Sequence, residues 1–466
     1  MKIEMQPNGA WYHGSDKIFS MLREGSTITQ WRDLAEAFSH KPSCLSYEDD
    51  GRITHNGAKK GYLYVIDEPI EVGKDICPHP GSTMDENAEF LTKRPLKVKQ
   101  IAQLPLQADC ASANRNEKII NWIIKRVEED YADDVDMVLA YGSFINGTAH
   151  EKSDVDCYFI PRTERGYGFG TDFILEGVGY DIFPMSWERV ENIADMNEVL
   201  LPCVGDVRIL YARTEEEEKR FAGLQERLAS HLRDASYTGK KAEEQFAFAC
   251  SLYEQMLFSD SLADVRICAG YLIMALADAA AYHNQDYYHF GLKRQYEDLK
   301  RFSKKPDDFM ENYLSVIRAQ DGEQARSCCL RMLKSMSEYM GWKLCIEEAP
   351  GEVMAETPAK EPDYAGLAVL YEEISSTFQK IYVSCEKNDR VLAFLSAVCL
   401  QYELEEASQE NGLPDYDILS FYEYDNLPRL AERTKQVEEQ FVRTIEEGGG
   451  RIRRFADFEE LERAEV

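Results

Sequence analysis

The 466-residue sequence predicts a multidomain α+β protein, with an N-terminal mixed α/β block, a central α/β sheet and C-terminal helical bundles. Three observations carry that reading. The length corresponds to roughly three domains at about 150 residues each. Hydrophobic residues make up 44 % of the chain and aromatics 11 %, enough apolar material for several cores, which argues against intrinsic disorder despite the charge. The hydrophobic period also changes along the chain: short strand-like runs come first, strands then mix with helical spacing, and helical spacing follows throughout.

Two shifts in composition, at 104–117 and around 347–362, read as linkers. The expected domains are therefore 1–104, 117–213, 214–345 and 363–466, with 346–362 joining the last two. Residues 32–39 predict a short helix and 61–66 a strand. Residues 117–130 predict an amphipathic helix, because Ile119, Ile120, Ile123, Ile124 and Val127 recur at helical spacing. Strands are expected at 137–141, 156–160, 180–183 and 207–211. Residues 263–282 are apolar nearly all round, as suits the central buried helix of a bundle. Amphipathic helices follow at 363–385 and 435–447, then a break at Gly448-Gly449-Gly450 and a short terminal strand within 451–455.

With 53 basic and 84 acidic residues the net charge is −31 and the pI about 4.7. Affinity for long nucleic acids comes largely from lysine and arginine displacing counterions, so this balance argues against such a partner and favours a cationic or protein one. No run approaches the ~20 apolar residues of a membrane span, and residues 1–10 lack a secretory layout, so a cytoplasmic location is expected. The 12 cysteines are scattered, with one adjacent pair, Cys328 and Cys329, and no Cys-x-x-Cys. That spacing indicates neither a zinc site nor a disulfide framework.

The most informative stretch is 138–156, VLAYGSFINGTAHEKSDVD. A hydrophobic strand runs into Gly142-Ser143, and after a spacer Asp154-Val155-Asp156 opens the next strand. Alternation along a strand puts Asp154 and Asp156 on one face, where two carboxylates repel unless something positive, typically a divalent metal, lies between them. Gly142 lets backbone amides and the Ser143 hydroxyl approach a phosphate. Asp181, the lone acid of an otherwise apolar strand, would complete a set of three. The plainer alternative is that the aspartates cap a strand entrance and Gly142-Ser143 forms a turn.

At these residues the chain resembles the DNA polymerase β-like nucleotidyltransferase superfamily, and its following helices resemble the antibiotic and bacterial minimal nucleotidyltransferases. The resemblance, over about 118–343, implies a nucleotidyltransferase α/β sheet in which Gly142 and Ser143 hold nucleotide phosphates. It also implies that Asp154 and Asp156 bind Mg²⁺ and that Asp181, as third metal ligand, helps activate the acceptor hydroxyl. Ser153 matches a common variant of the motif. Residues 162–172, with three glycines, read as a hairpin tip or as a mobile loop over the nucleotide. Residues 282–294 interrupt the helices with polar and aromatic side chains; family precedent makes Asn284, Tyr288 and Lys293 candidates for acceptor and triphosphate contacts, and an ordinary loop is the alternative.

Block one opens with Trp11-Tyr12-His13-Gly14-Ser15, continues through a helix ending Ala37-Phe38-Ser39, and carries Glu86 and Glu89 before its last strand. That order resembles the ADP-ribosyltransferase fold, in its His-Tyr-Glu branch. The resemblance implies that His13 binds the nicotinamide-side ribose of NAD and that Glu89, or alternatively Glu86, stabilises the oxocarbenium-like centre. The catalytic tyrosine has no clear counterpart, and Phe38, Ser39 or Tyr47 would have to stand in for it. Residues 363–466 carry no chemical motif and read as a packing or interaction domain.

The expected function is Mg²⁺-dependent transfer of a nucleoside monophosphate from an NTP, ATP in the first instance, to a hydroxyl of a small molecule, such as a cationic antibiotic, or of a protein. The alternatives are NAD-dependent ADP-ribosyl transfer by the N-terminal domain and a nucleotide-binding scaffold without turnover.

Overall fold

A computed structural model describes residues 9–41, 45–47, 53–55, 61–79, 88–104, 111–145, 153–344, 346 and 361–464. The chain forms two compact units, Met1–Asn114 and Arg115–Val466.

In the first unit the elements are β1 (Tyr12–Ser15), β2 (Met21–Leu22), β3 (Thr27–Ile28), α1 (Arg32–Ser39), β4 (Leu45–Tyr47), β5 (Ile53–His55), β6 (Gly61–Ile66), β7 (Ile76–Pro78), β8 (Phe90–Thr92) and β9 (Leu96–Leu104). They build a sheet of order β1-β6-β9-β2, a second of order β3-β8-β7, and the β4-β5 pair. Trp11, Leu22, Ile28, Tyr64, Phe90 and Leu96 form the core. Helix α1 sits so close to β1 that a Cβ at Gly14 would stand 1.8 Å from the Ala35 carbonyl oxygen. Glycine is required there by contact, not by a turn.

The second unit begins within α2 (Ala111–Arg126), which ends in a single π turn, Val127–Tyr131. Then come β10 (Val135–Tyr141), the one-turn α3 (Gly142–Ile145), β11 (Asp156–Pro161), β12 (Thr171–Leu175), β13 (Val178–Pro184), α4 (Trp187–Ala194), α5 (Pro202–Gly205) and β14 (Arg208–Ala212). The helices α6 (Glu215–Arg233), α7 (Ala235–Phe258), α8 (Leu262–His283), α9 (Leu292–Arg301), α10 (Phe309–Ile317) and α11 (Gly322–Met340) follow. The chain closes with α12 (Tyr364–Glu386), α13 (Arg390–Asn411), α14 (Leu427–Glu447), β15 (Arg454–Phe455) and α15 (Phe458–Arg463).

The sheet order is β14-β10-β11-β13-β12-β15. One face, with Val138, Cys157, Phe159, Phe173 and Ile182, packs on Ile119, Ile123 and Val127. The other, with Met137, Leu139, Tyr158 and Ile160, belongs to the core of the helices. Burial on both faces explains why these strands read as continuous apolar runs. Helix α12 crosses the second face, where a Cβ at Gly179 would meet Ser375 Oγ at 2.1 Å.

Three expectations need correction. Helix α2 starts at Ala111, inside the segment read as a linker. Residues 162–172 are not a hairpin tip: a 3₁₀ turn over Arg165–Phe169 leads into β12, and the hairpin turns at Glu176 and Gly177, both with positive φ. Helix α8 is the buried central helix expected of 263–282: it is long and apolar enough to cross a membrane by length and composition, and 89 % of its most apolar window is buried in the bundle. The separation expected near 346–362 is not one of packing, since Leu367, Ile374, Phe378 and Phe441 share one core with Leu272 and Met332. Strand β15 also extends the sheet, pairing in parallel with β12.

Candidate active site

Tyr141 at the end of β10 stands opposite Asp156 at the start of β11. Between them the chain leaves β10 through Gly142, at φ +75°, where a Cβ would lie 1.8 Å from Asp156 Oδ2. Any side chain there would be strained and would displace the carboxylate. The Ser143 backbone N–H donates to that carboxylate. Entry into β11 is fastened from α2. Arg115 Nη2 donates to the Ser153 carbonyl at 3.1 Å, and Asn116 Nδ2 donates to the Ser153 and Asp154 carbonyls at 3.0 and 3.1 Å. The Tyr180 hydroxyl closes this network, accepting from Arg115 Nε at 2.7 Å and donating to Asn116 Oδ1 at 2.5 Å. Ser153 is itself buried, 5 % exposed, and its carbonyl serves as the anchor of this network.

Burial and the neighbouring Asp154 push the Asp156 carboxyl up to about 7, with Lys380 and Lys293 pulling the other way. Burial likewise raises Asp154, against Lys380, Lys293 and Arg115. Asp181 is not alone. The register places Asp172 of β12 directly opposite it, and the two carboxyls share a hydrogen bond. Burial, Asp172, Glu373 and Asp154 together push Asp181 up to about 9. The Asp172–Asp181 pair therefore keeps a proton at neutral pH, as two adjacent carboxylates must.

Opposite the sheet, α12 presents Glu373, Lys380 and Lys387, all exposed. Seven-residue steps are two helical turns, about 10 Å, along one face. Glu373 is within electrostatic reach of Asp172 and Glu403, Lys380 of both β11 aspartates, and Lys387 of Lys293 at the start of α9. The surroundings of the aspartates, the candidate nucleotide cleft, are thus acidic at one end and basic at the other. Of the three candidates in 282–294 only Lys293 faces the aspartates. Asn284 is taken up by the Ala280 and Lys304 carbonyls at 2.7 and 2.9 Å, and the Tyr288 hydroxyl by the Ala277 carbonyl at 2.9 Å. The sequence reading missed Arg115, Asn116 and Lys380. A charge repeated every seven residues was visible, but that pattern usually marks a solvated helix face.

Among the described residues no group of three or more His, Cys, Asp or Glu is arranged to hold a metal ion. The Asp154–Asp156 pair still fits Mg²⁺, which takes one or two carboxylates and completes its shell from phosphates and water. Two half-buried carboxylates, both pushed up by desolvation and Asp156 further by Asp154, are the donor set such an ion relieves.

In the first unit His13 and Glu89 line one cavity of about 240 Å³ with Tyr12, Thr27, Thr29, Ala35 and Phe38. His13 Nδ1 lies 2.7 Å from the Thr27 carbonyl oxygen. Burial lowers the His13 pKa, against that bond, so the ring is neutral at pH 7 with Nδ1–H donating and Nε2 an acceptor. Of the three stand-ins for a catalytic tyrosine, Phe38 lines the cavity, whereas buried Ser39 donates to the Glu36 carbonyl at 2.6 Å. The Tyr47 side chain and Glu86 lie outside the described residues.

Residues 120–242 match the family model for the nucleotidyltransferase domain. Over those residues the chain carries a nucleotidyltransferase domain, which marks a transferase of phosphorus-containing groups and implies an NTP as substrate. Lys293 and Lys380 lie beyond the matched range. No curated protein matches the chain. Among solved structures, a nucleotidyltransferase-like protein from Exiguobacterium sibiricum 255-15 is similar over 47 % of this chain and 78 % of its own, at 11 % identity and a TM-score of 0.27.

Proposed function

We propose that the second unit moves a nucleoside monophosphate from an NTP, ATP in the first instance, to a hydroxyl of a cationic small molecule or a basic protein surface, with Mg²⁺. The observation that carries this is the pairing of Asp154 and Asp156 over Gly142 with Lys380 and Lys293 facing them. The acceptor oxygen forms a bond to the α-phosphorus, the α–β bridging bond breaks, and pyrophosphate leaves. Lys293, Lys380 and Lys387 take the departing phosphates. Asp154 and Asp156 would hold Mg²⁺, which supplies charge neutralisation at the phosphates when bound. The Asp172–Asp181 pair, already sharing one proton, has a second carboxylate to accept the proton from the hydroxyl. Glu373, Glu403 and Asp172 make that end of the cleft acidic, which favours the encounter with a cationic acceptor.

The test is incubation of the full chain with each α-labelled NTP and Mg²⁺ across aminoglycosides, lincosamides and basic protein fractions. Label on an acceptor with matching pyrophosphate release is expected. Lys380→Ala should raise the KM for NTP by roughly tenfold or more, as loss of a phosphate contact does. No label and no pyrophosphate from any NTP would reject the reading.

A second reading concerns the first unit, and rests on His13 and Glu89 lining the same cavity. It is NAD-dependent ADP-ribosyl transfer, with His13 Nε2 accepting from a ribose hydroxyl and Glu89 stabilising the centre that nicotinamide leaves. Nicotinamide release from labelled NAD, lost in Glu89→Ala, is the expected outcome. Its absence from the unaltered protein removes this reading.

A further inference from the structure

Between the lysine-bearing helix α9 and the carboxylate-bearing strand β11 runs one continuous chain of contacts, and His289 is its middle link. On the sheet side, the Tyr158 hydroxyl, two residues beyond Asp156, donates to the Cys203 carbonyl at 2.6 Å. Cys203 belongs to α5, whose C-terminal cap is Asp206. Tyr287 packs onto α5 so closely that a Cβ at Gly205 would stand 2.0 Å from its hydroxyl oxygen, and that hydroxyl donates to Asp206. Asp206 also lies 2.9 and 2.8 Å, through its two oxygens, from His289 Nδ1. On the helix side, His289 Nε2 is 3.1 Å from Asp286 Oδ1, while Arg301 of α9 donates to Asp286 Oδ2 at 2.7 Å and to the Tyr287 carbonyl at 3.4 Å. Gly291, at φ +57°, then turns the chain into α9, and Lys293 is in its first turn.

We propose that His289, as an imidazolium held between Asp206 and Asp286, is a positioning residue that sets Lys293 against Asp154 and Asp156 and so sets the affinity of the cleft for a nucleoside triphosphate. The inference rests on the nucleotidyl-transfer reading of that cleft. Its first support is stoichiometric: a ring with a carboxylate at each nitrogen must donate from both, and only the cation can. Its second is topological. Asp206 is fixed to the sheet through α5 and Asp286 to α9 through Arg301, so one side chain spans the two halves of the site. Bonds from Asp206 and Asp286, against burial, push the His289 pKa up to about 9. The charged and titratable groups facing it are Asp206 beyond α5, Asp286 and Tyr287 on its own loop, and Arg301 on α9.

The sign follows from that pKa lying above the ordinary value of 6.5. The bridge is complete below about pH 6.5 and is lost as pH rises through about 9. The Lys293 pKa is also shifted, lowered by burial and by Lys387 and Lys380, so the pH profile alone does not isolate His289. An arginine at 289 does, because it keeps its charge throughout.

The experiment measures KM and kcat by pyrophosphate release, and Kd for each MgNTP, with the full chain near pH 7 and near pH 9.5. His289→Gln should weaken nucleotide binding roughly tenfold near pH 7 and leave kcat within about twofold, the pattern of a lost ground-state contact. His289→Arg should match the unaltered protein near pH 7 and hold its affinity better near pH 9.5. Asp206→Asn, which removes the partner and keeps the imidazole, should reproduce the glutamine effect if the first variant fails to fold. Full affinity in both His289→Gln and Asp206→Asn, or identical pH profiles for histidine and arginine, overturns the proposal. If Lys293→Ala weakens binding and His289→Gln does not, this inference alone falls. If the unaltered protein binds no MgNTP, the reading of the cleft falls and takes this inference with it.

Discussion

Asp156→Asn is expected to abolish nucleotidyl transfer and, in the metal-free protein, to raise Tm. The loss of transfer, by about a thousandfold or more, follows from removing one of two carboxylates aimed at the phosphates, where charge neutralisation supplies most of the catalysis. The gain in stability follows from the carboxyl's pKa of about 7, well above its ordinary value of 3.8. A raised acid binds its proton more tightly in the folded state, so the metal-free protein loses stability as pH rises from about 3.8 through 7. Asparagine carries no such charge. The melting curves should coincide below about pH 4 and separate above pH 7, with the variant about 2 °C higher. Adding Mg²⁺ and NTP should reverse the order, because only the unaltered protein gains the binding free energy. Differential scanning fluorimetry across pH, with and without MgNTP, reads both effects. Equal Tm values at pH 8 would mean that the pair is not costly when empty, and full transfer by the variant would remove Asp156 from the site.

The same carboxylates show how much of the site is written locally. Gly142, Ser143, Asp154 and Asp156 are legible because strand alternation and a glycine turn fix their relations within a score of residues. The apolar strands β10, β11 and β13 and the buried α8 are legible for the same reason, since burial on both sides leaves a continuous hydrophobic record. Asp172 was not legible. Its strand follows a glycine-rich turn that reads as loop, and its partnership with Asp181 exists only through the β12–β13 register. Lys380 lies still further off, more than two hundred residues from Asp156 in sequence, on a helix whose charged face looks like any solvated one. The C-terminal helices therefore supply one wall of the cleft in addition to packing. What hides this from the sequence is that long-range pairing leaves no period to read.

A buried ion pair helps hold that wall to the sheet, and breaking it should give a large loss of stability. Glu372 of α12 is 0 % exposed. Its carboxylate accepts from the Arg453 backbone N–H, pairs with Arg453 Nε at 3.0 Å and with Nη2 at 2.9 Å. Arg453 Nη1 reaches Thr171 Oγ1 at 3.2 Å, and the Arg453 carbonyl accepts from the Ile174 amide at 2.8 Å, so the pair fixes β15 along β12. Beyond β15, Leu461 of α15 is fully buried in the core beneath α2. Glu372→Ala strands a guanidinium and a backbone N–H without their acceptor. Breaking a buried pair costs about 3–5 kcal/mol, and because the Arg453 side chain is 32 % exposed, water recovers part of it, leaving about 2–3 kcal/mol. Glu372→Gln, which keeps one acceptor oxygen, should lose about 1 kcal/mol. Chemical denaturation should show both as lower midpoints, and hydrogen exchange should show the Ile174 and Glu176 amides, which bond to the Arg453 and Phe455 carbonyls, losing protection first. Lys380 is two turns further along the same helix, so Glu372→Ala should also raise the KM for NTP. An unchanged midpoint would mean that β15 is held by its ladder and by Leu461 alone, and that the orientation of α12 does not depend on the pair.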